Sequence, residues 1–130
     1  MNRAVLAREL VALAEGLVAS AGVGSSFRLL RDLRTTKGVE FKTGEEVKVR
    51  EYAREFPWTV RVEAADGRRM SLLVEGAHRS LSGFPKPPGL ATLERWSTDG
   101  VARSVDGQRV EPDGFSVGGA PSWVLVSGLV

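Results

Sequence analysis

The chain has one histidine, His78, in Gly76-Ala77-His78-Arg79-Ser80, with hydroxyls close by at Ser80 and Ser82. As a general base it would need an orienting acid and a nucleophile within hydrogen-bond reach. No Gly-x-Ser-x-Gly elbow surrounds either serine, so His78 reads as a loop histidine without a catalytic role. The absence of cysteine removes disulfides, thiolate metal sites and cysteine nucleophiles together. A metal would depend on His78 plus carboxylates, and no His-x-x-His spacing is present. Two carboxylate pairs remain. Glu45-Glu46 flanks a turn, and Glu111 with Asp113 lies in a Pro/Gly turn, where acids are ordinary. Gly118-Gly119 has no lysine to make a phosphate loop. These residues speak against an enzyme, and no cofactor or metal is expected.

The positive chemical signal is basic. If Val47 and Val49 point inward on a strand, Lys48, Arg50 and Tyr52 point outward. Arg61 joins them through hairpin register, and Arg68, Arg69 and Arg79 lie near the same surface. Cations of this kind neutralise phosphates, and an exposed ring stacks on a base. The set Lys48, Arg50, Tyr52, Arg61, Arg68, Arg69 and Arg79 is therefore the candidate nucleic-acid face. Glu40, Glu51 and Glu63 are placed to neutralise part of it by cross-strand pairing. Residues 90–111 offer a second surface. A helix with Arg95 and Trp96 is followed by a hairpin carrying Arg103 and Arg109, which resembles a helix plus wing in outline. This would place DNA contacts at Arg95, Arg103 and Arg109.

The elements that must hold these residues are clearest over 41–75. Ala65-Asp66-Gly67 suits a three-residue hairpin loop with glycine in the left-handed position. That loop sets Glu63 against Arg69, Val62 against Met70, Val60 against Leu72 and Trp58 against Val74, making one face apolar. A two-residue loop would mix the faces, which a half-buried hairpin does not tolerate. By the same logic Thr43-Gly44-Glu45 pairs Phe41 with Val47 and Val39 with Val49. Gly44-Glu45-Glu46-Val47-Lys48-Val49, a polar loop, and Pro57-Trp58-Thr59-Val60-Arg61-Val62 before a glycine turn resemble an SH3-like small β-barrel. The resemblance implies a binding module rather than an enzyme.

Before this stretch, Leu6, Leu10, Leu13 and Leu17 recur at helical spacing, predicting an amphipathic helix over 1–21. Arg8, Glu9 and Glu15 interrupt its apolar run, which favours a retained helix over a cleavable signal. A second short helix is expected over 27–34, with Phe27, Leu30 and Leu33 on one face and Arg28, Arg31 and Arg34 on another. Residues 76–89 read as a surface loop. Residues 90–98 read as a helix capped by Gly100, and 101–111 as a hairpin around Asp106-Gly107. Residues 122–129 read as helix or strand, with helix favoured by Ser122 and Gly128 as caps. Trp123, Leu125 and Leu129 are its core candidates.

The 130 residues fit one domain, with a β core over 38–75 and a C-terminal extension over 89–130. Eighteen basic against sixteen acidic residues leave a net charge of +2, too small for whole-chain charge to name a partner. No apolar run is long enough to span a bilayer, so no membrane partner and a cytoplasmic location are expected. The expected fold is α+β: an N-terminal helix, a small SH3-like antiparallel barrel or sheet, and short C-terminal helices and a hairpin. The expected function is a non-catalytic module binding nucleic acid through the basic sheet face. The alternative is a structural or assembly protein, an oligomer subunit or virion component, self-associating through the N-terminal apolar helix.

Overall fold

The computed structural model describes residues 21–54 and 56–129. The helix expected at the N-terminus, and the self-association assigned to it, fall outside the described residues. Eight strands run in chain order: β1 Ser26–Arg28, β2 Leu33–Arg34, β3 Glu40–Phe41, β4 Glu46–Tyr52, β5 Thr59–Ala64, β6 Arg69–Leu73, β7 Ala102–Arg103 and β8 Arg109–Val110. A 3-10 helix spans Val74–Arg79, helix α1 spans Leu90–Asp99 and helix α2 spans Trp123–Ser127. Strands dominate, which corrects the α+β expectation.

The main sheet has the order β1-β4-β5-β6, and β2-β3 and β7-β8 form separate ribbons. No pairing joins β1 to β6 among the described residues, so no barrel closes. The expected Phe41–Val47 pairing is replaced by two others: Phe27 faces Val47, and Phe41 faces Leu33. The reason lies in residues 27–34, which are not helical. Phe27 and Leu29 are buried while Arg28 and Leu30 are exposed, a period of two. An eight-residue segment has little helical stability of its own. Extended, it buries Phe27 opposite Val47 of β4 and Leu29 opposite Leu81, about 1.5–3 kcal/mol each. The arginine row expected along that helix is consequently absent.

The β5–β6 hairpin matches the three-residue-loop register in full. Val62 faces Met70, Val60 faces Leu72 and Glu63 faces Arg69. The Val74 N–H donates to the Trp58 carbonyl at 3.0 Å. Trp58, Val60, Val62, Met70 and Val74 are buried, and Leu72 is half-buried.

Tyr52 corrects the outward assignment. A bulge between Val49 and Glu51 sends both Arg50 and Glu51 outward and returns Tyr52 to the interior. Its hydroxyl donates to the Ala21 carbonyl.

Residues 76–89 are not a mere surface loop either. Ala77, Leu81 and Phe84 are buried, Leu81 bridges to Leu29, and the Phe84 ring lies 5.3 Å from that of Phe27. Small and apolar residues between turn formers gave no periodic signal of this burial.

The caps expected at Gly100, Ser122 and Gly128 all form. The α1 helix ends at Gly100 with φ 76°, and the Ser122 hydroxyl accepts the Leu125 N–H at the start of α2. Trp123 is buried together with Val124 and Val126, while Leu125 is half-buried and Leu129 is 41% exposed, so Leu129 is not core. Five helical residues turn Trp123, Val124 and Val126 inward and leave Leu129 past the cap. Helix α2 contacts α1, β7 and the 3-10 helix, which joins the C-terminal segment to the core of the sheet.

Four loops share one template. In each, the N–H of the residue before the loop donates to the carbonyl of the residue after it. The glycine at the third loop position donates back to that first residue. The closing pairs are Thr35/Val39, Ala64/Arg68, Ser104/Gln108 and Ser116/Ala120, with bonds of 2.8 to 3.0 Å. The glycines Gly38, Gly67, Gly107 and Gly119 have φ between 81° and 90°, a region other residues adopt only with strain. Where the first residue has a hydroxyl, it accepts the last residue's N–H: Thr35 from Val39, Ser104 from Gln108 and Ser116 from Ala120. Ala64 has none, and there Asp66 accepts the Arg68 N–H at 3.2 Å.

Candidate nucleic-acid interface

The outward face of the main sheet is basic, but its charges are matched. Arg61 donates to Glu51 at 2.7 Å, Arg69 to Glu63 at 3.1 Å, and Arg50 lies 3.4 Å from Glu63. Lys48 has Glu63 as its direct cross-strand partner, and Arg28 has Glu46. Exposed pairs of this kind contribute little stability each, but they lower the field that a phosphate would meet.

Arg68 is more fully engaged. Its guanidinium grips Asp66 and Glu45, donates to the Glu40 carbonyl and lies 5.0 Å over the Phe41 ring. The Arg68 hydrogen bond and the Lys42 N–H hold the Glu45 carboxyl below its ordinary value. The Arg68 backbone and side chain do the same for Asp66. Arg68 is thus a clamp between the β5–β6 loop and β3. Arg79 is exposed in the last turn of the 3-10 helix, off the sheet. Of the seven residues assigned to the sheet face, Tyr52 is interior, Arg68 is a clamp, and Arg50, Arg61 and Arg69 are ion-paired.

The β7–β8 ribbon differs. The hairpin template puts one rung of side chains directly next to each loop, on a pair that is not hydrogen-bonded and where side chains come closest. In the first hairpin that rung is Arg34–Glu40, an ion pair of 3.4 Å. In the second it is Glu63–Arg69. In the third it is Arg103–Arg109, two like charges face to face. Neither arginine is in an ion pair among the described residues. Arg103 has only a 3.3 Å hydrogen bond to the Gly107 carbonyl. Like charges directly opposite one another destabilise a ribbon.

Arg95 and Trp96 of α1 line the same open depression as Arg103 and Arg109. Asp99 is the one carboxylate among the residues lining it. A second depression continues past Val101 and Arg109 to Phe115. The Phe115 ring is 5.7 Å from Trp58 and has the Arg54 guanidinium 4.8 Å over it. The structure therefore brings together the second set foreseen from the sequence, Arg95, Arg103 and Arg109, with Trp96 among them. Their direct opposition was countable too. Taking Val105-Asp106-Gly107 as the loop sets Arg103 against Arg109, just as 65–67 sets Glu63 against Arg69.

Asp106 occupies the loop position of Asp66 but is buried, accepting from the Ser104 and Ser116 hydroxyls, the latter at 2.6 Å. It joins the third and fourth loops. A side chain at Gly118 would come within 2.6 Å of its carboxylate, so glycine is required there by close approach.

His78 has its Nδ1 buried without a partner among the described residues, and the nearby Ser80 hydroxyl accepts from Arg31 at 3.0 Å. The two are not arranged as base and nucleophile. No group of three or more potential metal ligands gathers among the described residues. No described helix is long and apolar enough to cross a membrane.

Comparison with protein-family models, curated proteins and solved structures returned no match.

Proposed function

We propose that this chain is a non-catalytic nucleic-acid-binding module whose contact surface is the Arg103–Arg109 rung with Arg95 and Trp96 beside it. The observation that carries the reading is the unmatched rung. Elsewhere in the described ribbons and sheet Arg28, Arg34, Lys48, Arg61 and Arg69 each face a carboxylate directly across a strand pair. Among the described strand pairs, β7–β8 alone sets arginine against arginine. A phosphate between two guanidiniums removes their repulsion and accepts charge-assisted hydrogen bonds from both. The basic sheet face supports the reading less, because a phosphate there would have to displace Glu51 or Glu63.

Retention on a heparin or DNA column tests this. The wild-type chain is expected to be retained, with retention falling steeply as salt rises. Arg95→Gln with Arg109→Gln is expected to elute early, whereas Lys48→Glu with Arg61→Glu elutes close to wild type. The reverse ranking would move the interface to the sheet, and no retention of the wild type would end the proposal.

A further inference from the structure

The structure assigns single-stranded, not duplex, nucleic acid to this surface, an inference that rests on the reading above. Three observations converge on it. First, the two depressions share Val101 and Arg109, and each has one aromatic ring in its lining, Trp96 in the first and Phe115 in the second. Trp96 is half-buried, packed in part against the core, and Phe115 is 38% exposed. Bases within a duplex are stacked on each other and cannot offer their faces to such rings, but unpaired bases can.

Second, the cations are concentrated at one rung. Helix α1 carries Glu94 and Asp99 against the single cation Arg95. It would be repelled by the paired phosphate walls of a major groove, so the outline of helix and wing does not serve as a duplex reader here. Third, the Arg54 guanidinium lies 4.8 Å over the Phe115 ring, so on that side the group offered for stacking is the guanidinium, with Phe115 as its support. A base extends that stack on the guanidinium plane, as arginine planes do in single-strand sites. A strand running from Trp96 across Arg109 to Phe115 would thus have a stacking group at both ends and Arg109 between them, with Asp99 and Glu111 as the carboxylates along the same lining.

The test uses the full chain with oligo-dT, the same strand annealed to oligo-dA, and heparin. Oligo-dT is expected to bind at least about tenfold more tightly than the duplex at equal salt. It should quench tryptophan fluorescence, because Trp58 and Trp123 are buried and Trp96 is the accessible indole. Trp96→Leu should weaken oligo-dT binding by roughly 5- to 150-fold, the loss of one stacked base. Phe115→Leu should show the same pattern, and it keeps the test usable if the Trp96 variant does not fold.

Equal affinity for duplex and single strand, or oligo-dT binding within about twofold of wild type in both variants, would overturn the single-strand assignment and leave the Arg103–Arg109 reading standing. Failure of the wild type to bind any of the three probes would overturn both.

Discussion

Arg103 and Arg109 face one another across a two-residue ribbon with no carboxylate between them. The rung therefore costs stability when nothing is bound. This separates stability from binding in a single substitution. Arg103→Glu creates the pairing already present at Glu63–Arg69 and Arg34–Glu40. It is expected to raise stability by about 0.2–1 kcal/mol in urea unfolding while lowering heparin retention. A variant that is both less stable and fully retained would contradict the role given to the rung. Arg68 shows the opposite case. It was as eligible as Arg109 in the sequence, but Glu45, Asp66 and the Glu40 carbonyl occupy its donors. Residue type and spacing cannot reveal such occupancy, because Glu45 and Arg68 meet only through the fold. Tyr52 was missed for a related reason: one bulge residue reverses every side-chain direction beyond it.

At the scale of elements, the hairpin loops were the most legible part of the chain. Glycine at a fixed loop position and apolar alternation set the β5–β6 register by a local count, and caps at Gly100, Ser122 and Gly128 did the same for the helices. Segments lacking such punctuation are not legible from local pattern. Residues 27–34 have mixed spacing, so their pairing with β4 at one end and with β3 at the other depends on long-range burial and not on propensity. The buried contribution of residues 76–84 left no pattern at all. The link between the third and fourth loops gives a prediction at this scale. Asp106→Ala removes the acceptor of the buried Ser116 hydroxyl and leaves the Ser104 hydroxyl only the Gln108 carbonyl at 3.3 Å. It is expected to cost roughly 2–4 kcal/mol in urea unfolding. Asp66→Ala, at the same loop position but exposed, should cost far less. Equal costs at the two sites would show that the Asp106 bridge does not stabilise the fold.

For the whole molecule, stability should fall at both ends of the pH scale. Burial pushes the Tyr52 hydroxyl above its ordinary value of 10.0, and the Asp106 carboxylate adds in the same direction. The neutral form is favoured in the fold, so its contribution is complete below about pH 10 and is lost as pH rises above it. Tyr52 is the chain's one tyrosine. Tyrosinate absorbance is therefore expected to appear together with loss of the fold, and a folded chain titrating near pH 10 would contradict this. At the acid end Glu45, Asp66 and Asp32 are depressed by hydrogen bonds from Arg68, Lys42 and Thr43. Their contributions are present above their ordinary values of 3.8 to 4.5 and are lost as pH falls through the lower folded values. Arg68→Met should flatten that acid limb.

The repeated loop template also has a historical consequence. Its requirements fall on the loop glycine and on the residues that close the turn, and the adjoining rung needs only two side chains that leave the same face. The rung is thus an interchangeable slot. The same scaffold holds salt bridges at two slots and an unneutralised pair at a third. A lineage could gain, lose or relocate a charged contact by exchanging one residue, without rewriting the instructions that fold the chain.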